Sequence, residues 1–212
     1  MASTIVAVSG KKRHGKDVIA SALVSELGFT QVAFAAQLKA AVYALDPVVT
    51  RPGGPLARAW SWLRSGGRPV RVTQVVDSLG WEAAKDRYPE VRRLLQRMGT
   101  EVGRDLFGAD FWVDQALAAA DRIDGPVVIS DTRFVNEARA VHAHGGIVVR
   151  VNRPSVASHD THVSETALDD FDGFDAVLVN DSTLDDLRRA ALAVARLADR
   201  AGGEPLPRIC TP

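Results

Sequence analysis

Ile5-Val6-Ala7-Val8-Ser9-Gly10-Lys11-Lys12-Arg13-His14-Gly15-Lys16-Asp17 joins an apolar run to a basic loop bounded by glycines. The loop reads G-x-x-x-x-G-K-D. Glycines allow the tight turn and close approach that an anion needs, the amides between them can face one phosphate, and a following helix adds the positive end of its dipole. The run before the loop reads as a buried strand, and Val18 to Leu27 has helical periodicity. That context separates a phosphate cradle from a glycine turn that happens to contain lysine. Asp17 is the departure, because Ser or Thr usually stands there to offer magnesium a hydroxyl. A carboxylate also holds magnesium, directly or through water, but adds negative charge beside the phosphates.

Working outward, 212 residues suffice for one domain, or one domain with a sizeable insertion. Lys and Arg total 26 and Asp and Glu total 26, so no global field attracts nucleic acid or an anionic membrane, and anion binding must be local. Cys210 is the only cysteine, which excludes an internal disulfide and fits a reducing compartment. No signal peptide and no stretch near the ~20 apolar residues of a membrane span is evident, so the expected location is the cytoplasm.

Thr4 to Ser9, Val127 to Asp131, Ile147 to Val151 and Ala176 to Asn180 are apolar, β-branched runs, and Gln31 to Ala35 is a weaker fifth. Such strands separated by helices imply an α/β fold with a five-stranded parallel sheet covered on both faces. Val91, Leu94, Leu95, Met98 and Val102 form one stripe on a helix that Pro89 opens. Asp110 can cap the next helix, whose stripe is Trp112, Val113, Ala116, Leu117 and Ala120; Leu184 to Leu197 forms the last. More than ninety residues between the second and third strands mark a helical insertion, 46–124, in a core of 1–45 and 125–200. Inside it, Arg51 to Arg71 reads as two glycine- and proline-rich linkers around a short helix bearing Trp60 and Trp62, which permit a homodimer contact. Gly202 to Pro212 reads as a loose tail.

Asp131 ends a buried strand at the edge where open α/β sheets bind ligands, and can hold magnesium or its water shell; a loop or helix cap is its alternative. Arg133 follows with a fork suited to phosphate oxygens. Glu137 reads as structural. Gln96, Thr100 and Arg104 recur at four-residue spacing, so on an α-helix they share a side, with Gln96 able to read a base edge and Arg104 to clamp a phosphate. The same spacing fits a solvated face, and Arg97 with Glu101 is an ordinary ion pair. Arg150 and Arg153 lead into a polar segment suited to a lid over phosphates, about 153–166. His159, His162 and Glu165 there match no common zinc spacing.

In this order the segments resemble the deoxynucleoside monophosphate kinases of tailed bacteriophages, a branch of the P-loop nucleotide monophosphate kinases. The resemblance rests on Ser9 to Asp17, Phe34 to Lys39, Gly80-Trp81-Glu82, the Q-x-x-G-T-E-x-G-R core within Leu94 to Phe107, Asp110 to Val113, Ser130 to Glu137, and Asn180-Asp181. It implies a P-loop kinase fold with a helical NMP-binding insertion and a short lid. It also implies that Gly10, Lys11, Arg13, His14, Gly15, Lys16, Asp17 and Val18 hold ATP, with Asn180 and Asp181 beside the adenine. Lys16, Arg104, Asp131, Arg133 and, from the lid, Arg153 become the catalytic set. Lys39, Gln96, Thr100, Arg104, Trp112 and Arg133 become acceptor contacts, and Asp17 and Asp131 the magnesium side. The expected reaction is phosphorylation of a deoxynucleoside 5′-monophosphate by Mg·ATP in the cytoplasm of a bacterial host, with small-molecule substrates and neither nucleic acid nor membrane as partner. A dephospho-coenzyme A or phosphomevalonate type of P-loop kinase, or an ATP-dependent switch that binds a protein partner, are the competing expectations.

Overall fold

The computed structural model describes residues 4–50, 53–56, 60, 63, 68–156, 163–201 and 209–210. Parts of the Arg51 to Arg71 segment with Trp62, of the expected lid with His159 and His162, and of the tail lie outside them. The elements in chain order are β1 (Ile5–Ser9), α1 (Lys16–Leu27), β2 (Thr30–Val32), α2 (Phe34–Leu45), β3 (Val48–Val49), β4 (Val70–Arg71), α3 (Val72–Arg87) and α4 (Pro89–Arg97). A π-helical segment (Met98–Phe107) follows, then α5 (Phe111–Ala120), β5 (Val127–Thr132), α6 (Val135–Ala143), β6 (Ile147–Asn152), α7 (Val163–Thr166), β7 (Ala176–Val179), α8 (Leu184–Ala201) and β8 (Ile209–Cys210). The chain forms two compact units, Met1–Phe34 with Val113–Pro212, and Ala35–Trp112.

The first unit holds a parallel sheet in the order β2-β5-β1-β6-β7-β8. Side chains alternate along a strand, so β1 sends Val6 and Val8 into one core with Ile19, Leu23 and Leu187, and Ile5 and Ala7 into another with Val113, Leu117 and Val141. Near-continuous apolar strands are what burial on both faces requires.

Two expectations are corrected here. The second strand does not run from Gln31 to Ala35: it ends at Val32, and Phe34 and Ala35 already belong to α2. The reason is Asp131, whose Oδ1 accepts the Phe34 N–H at 2.8 Å and satisfies an amide that the first turn of a helix leaves free. The C-terminal segment is also not loose throughout, because Ile209–Cys210 pairs with Ala176 and Val177 as a sixth strand.

In the second unit Val42, Val49, Val72, Val75, Ala84 and Val91 form the core, and β3 and β4 make a two-residue antiparallel ladder that the sequence did not announce. Pro89 opens α4 as expected, and the stripe from Val91 to Val102 faces inward. The helix does not continue in α form: from Met98 to Phe107 it widens to π. A side chain inserted into the helical ladder has this effect. Trp112 Nε1 donates to the Gly99 carbonyl at 3.2 Å, and the indole lies so close to Gly103 that a Cβ there would stand 2.6 Å from Cε2. Trp60 is exposed. Among the described residues, no helix is long and apolar enough to cross a membrane.

Replacing Gly103 by Ala should lower the unfolding free energy by about 1–3 kcal/mol in a urea titration, the range expected for overpacking. Gly54→Ala serves as control, since nothing stands within 4 Å of a Cβ there. Equal stability of Gly103→Ala and wild type would show that the indole gives way freely.

A second test concerns the start of α8, where Thr183 and Asp186 exchange backbone-to-side-chain bonds of 3.2 Å in a reciprocal cap. Hydrogen bonds from Ser182, Thr183 and Arg189 hold the Asp186 carboxyl far below its ordinary 3.8. A depressed folded-state value means that its contribution is complete above the ordinary value and is lost as pH falls. The stability gap between wild type and Asp186→Asn, followed by thermal melts, should therefore be widest near neutrality and close in acid.

Candidate functional site

The loop from Gly10 to Lys16 runs between β1 and the first turn of α1. Arg13 (φ 67°) and Gly15 (φ 103°) are left-handed, a geometry that curls successive amides into an anion-binding concavity at a helix start. A Cβ on Gly10 would meet the Val151 carbonyl at 2.8 Å, and one on Gly15 would meet Asn180 Nδ2 at 2.7 Å. Glycine answers to packing at Gly10 and to both torsion and packing at Gly15.

His14 is buried, its Nδ1 accepts the Arg153 backbone N–H at 3.2 Å, and its carbonyl accepts Asn180 Nδ2 at 3.0 Å. Asn180 thus braces the loop, while Asp181 beside it is exposed. His14 Nε2 and Thr132 Oγ1 are buried without a hydrogen-bond partner among the described residues. Lys16 Nζ rests on Asp17 at 3.0 Å from Oδ1 and 3.2 Å from Oδ2, with the Asp17 side chain 81% exposed.

At the neighbouring strand end, Ala7 pairs with Ile129 but Ser9 with Thr132, so β5 carries one extra residue around Ser130 and Asp131. Such a bulge re-aims side chains and is common beside functional sites. One Asp131 oxygen serves the Phe34 N–H, which realises the capping role while leaving the carboxyl at the sheet edge. Glu137 is structural as expected, its Oε2 accepting the N–H groups of Arg133 at 2.7 Å and Phe134 at 3.0 Å.

Two carboxylates were not assigned to the site from sequence. Glu165 accepts the Lys12 N–H at 2.9 Å and pairs with the Arg133 guanidinium. Asp169 bridges Lys11 Nζ and Arg150 Nη2, each at 2.7 Å. Burial pushes the Asp169 carboxyl up, but the hydrogen bonds from Lys11 and Arg150 outweigh it and hold the group below its ordinary value. Their four-residue spacing in a polar stretch was the available signal, and it names neither partner. Beside the loop, a cleft of about 540 Å³ is lined by Lys11, His14, Arg150, Arg153, Phe171 and Phe174, a size usual for small-molecule sites.

The second unit carries the other candidates. Gln96 and Thr100 are exposed and Arg104 half-buried. The shared face expected of an α-helix is altered, since Gln96 lies in α4 and Thr100 and Arg104 in the π segment. Trp112 spends its N–H on Gly99, and Lys39 lies 3.9 Å from Glu82. No group of three or more His, Cys, Asp or Glu side chains able to hold a metal occurs among the described residues.

Comparison with known proteins gives the family of the chain. A likeness to dephospho-CoA kinase from Campylobacter jejuni, at 11% identity and TM-score 0.49, covers 95% of this chain and all of that one. The deoxynucleotide monophosphate kinase of Enterobacteria phage T4 is 28% identical over 233 residues, covering 86% of this chain and 95% of the phage protein. A protein of Acanthamoeba polyphaga mimivirus bearing the same family name is 31% identical over 196 residues, 86% of this chain and 91% of its own length. The model of the deoxynucleotide monophosphate kinase family matches residues 71–190, and the chain belongs to that family.

Proposed function

We propose that the protein is a cytoplasmic enzyme of deoxynucleotide supply, transferring the γ-phosphoryl group of ATP to the 5′-phosphate of a deoxynucleoside monophosphate. The carrying observation is the loop itself: left-handed Gly15 at the N-terminus of α1, followed by Lys16. Family membership supports the choice of acceptor.

In this reading the amides of Gly10 to Val18 cradle the donor phosphates, Lys16 exchanges Asp17 for the β and γ groups, and Arg133 and Arg153 complete the cationic surround. Asn180 acts by holding the loop, with Asp181 toward the adenine. Lys39, Gln96, Thr100 and Arg104 take the acceptor, with Trp112 shaping the helix that carries three of them. A monophosphate is already an anion near neutral pH, so no general base is needed. Catalysis is positioning and charge neutralisation between two polyanions.

Asp17 and Asp131 are the groups that would hold magnesium. An exposed carboxylate beside the loop lysine and one at the sheet edge suit magnesium, a hard cation that takes oxygen ligands and keeps several of its waters. When bound it neutralises charge on the β and γ oxygens.

A coupled ADP-release assay over deoxynucleoside and ribonucleoside monophosphates tests the assignment, with deoxynucleotide-dependent turnover expected. Lys16→Ala and Arg104→Ala should each lose about 100-fold or more in kcat while unfolding normally. Full activity in both would remove the reading. For the metal side, Asp17→Ala should raise the magnesium concentration needed for half-maximal rate, with Asp17→Ser intermediate. An unchanged magnesium titration in Asp17→Ala would take Asp17 out of the metal's surroundings.

A further inference from the structure

Glu165 is one of the buried charged residues of the first unit, with Glu137 and Arg150, and its side chain is only 7% exposed. Burying a carboxylate is unfavourable unless its oxygens are met by donors or cations. Here both are: Oε2 takes the Lys12 N–H and Oε1 takes Arg133. These partners lie on the phosphate loop and just beyond β5, so one carboxylate ties together two elements that a phosphate group must address at once.

Arg133 is held at both ends. Its backbone N–H is fixed by the buried Glu137 at 2.7 Å and its guanidinium by the buried Glu165. A guanidinium presents its N–H donors in a rigid fork, so engaging it with Glu165 sets its plane. Donors fixed in advance need no reorganisation at the moment of transfer.

We propose that Glu165 is a positioning residue for phosphoryl transfer, acting through Arg133 and the Lys12 amide. The proposal rests on the reading of Arg133 as a phosphate contact. It assigns Glu165 no contact with substrate and no proton transfer. A structural residue of the fold would affect stability; a positioning residue affects kcat through a named partner.

The test is a double-mutant cycle on the full-length protein with Mg·ATP and the preferred deoxynucleoside monophosphate. Glu165→Ala should lower kcat about 100-fold, the scale of a misplaced catalytic group, with KM for either substrate little changed. Glu165→Gln, which keeps an acceptor for the Lys12 N–H and the same volume, should retain more activity. Arg133→Ala combined with Glu165→Ala should lose clearly less than the product of the two single losses, the remainder being the share carried by the Lys12 amide. Thermal melts accompany each variant, and if Glu165→Ala does not fold, the cycle is run with Glu165→Gln.

Additive losses would overturn the proposal, as would normal kcat in the Glu165 variants beside an impaired Arg133→Ala. So would a rise in acceptor-independent ATP hydrolysis in Glu165→Gln without loss of kcat, which would make Glu165 a guard of the anion site. Wild-type activity in Arg133→Ala would instead remove the arginine's assigned role, and the positioning role with it.

Discussion

The backbone at Gly15 is the constraint on which the site depends. Its φ of 103° disfavours any L side chain, and the place of a Cβ is taken by Asn180 Nδ2 and by Leu187 Cδ2 at 2.9 Å. Those neighbours are not incidental. Asn180 holds the His14 carbonyl, and Leu187 is part of the core beneath α1 and α8. The loop, the end of β7 and the start of α8 therefore fix one another. At its other end Gly10 lies on the Val151 carbonyl, and the His14 ring receives the Arg153 amide. The loop's shape is supported from β6 and from the turn after β7, so the protein scaffold supplies much of the order that anion binding would otherwise have to create.

Concentrating cations around such a loop has an electrostatic consequence. The chain is neutral in sum, but Arg150 lines one cleft with Lys11 and another with Arg133, and like charges brought together oppose each other. Glu165 and Asp169 answer this locally. The lowered Asp169 pKa gives the sign of that balance: attraction by its two cations exceeds the opposing effect of burial. Because lysine and arginine present several donors each, pairing with a carboxylate does not exhaust them.

The sequence made the parallel core legible for a physical reason. Strands β1, β5 and β6 are buried on both faces, so their apolar, β-branched runs carry a signal that needs no knowledge of neighbours. The loop was legible because its chemistry is local. Phe34 misled because an apolar residue after a strand can extend it or begin a helix, and the deciding contact comes from Asp131, 97 residues away. Glu165 was read with His159 and His162 and set aside as a metal ligand, while its partners Lys12 and Arg133 are 153 and 32 residues distant. Periodicity reports faces. It does not report which distant group a face will meet.

The Gln96 to Arg104 motif shows the same limit within one helix. Residue types and spacing identified it, but it packs against Trp112, which the sequence placed only on the stripe of the next helix. Gly99 and Gly103 form the side without side chains, against which Leu38 and Trp112 pack, with a Cβ at Gly99 standing 2.8 Å from Leu38 Cδ1. Thr100 and Arg104 are each one residue further on, roughly a quarter of a turn around the helix. They lie beside the packed seam, which leaves Thr100 exposed and Arg104 half-buried. The two glycines are where neighbouring side chains seat on this segment: Leu38 at Gly99 and the Trp112 indole at Gly103.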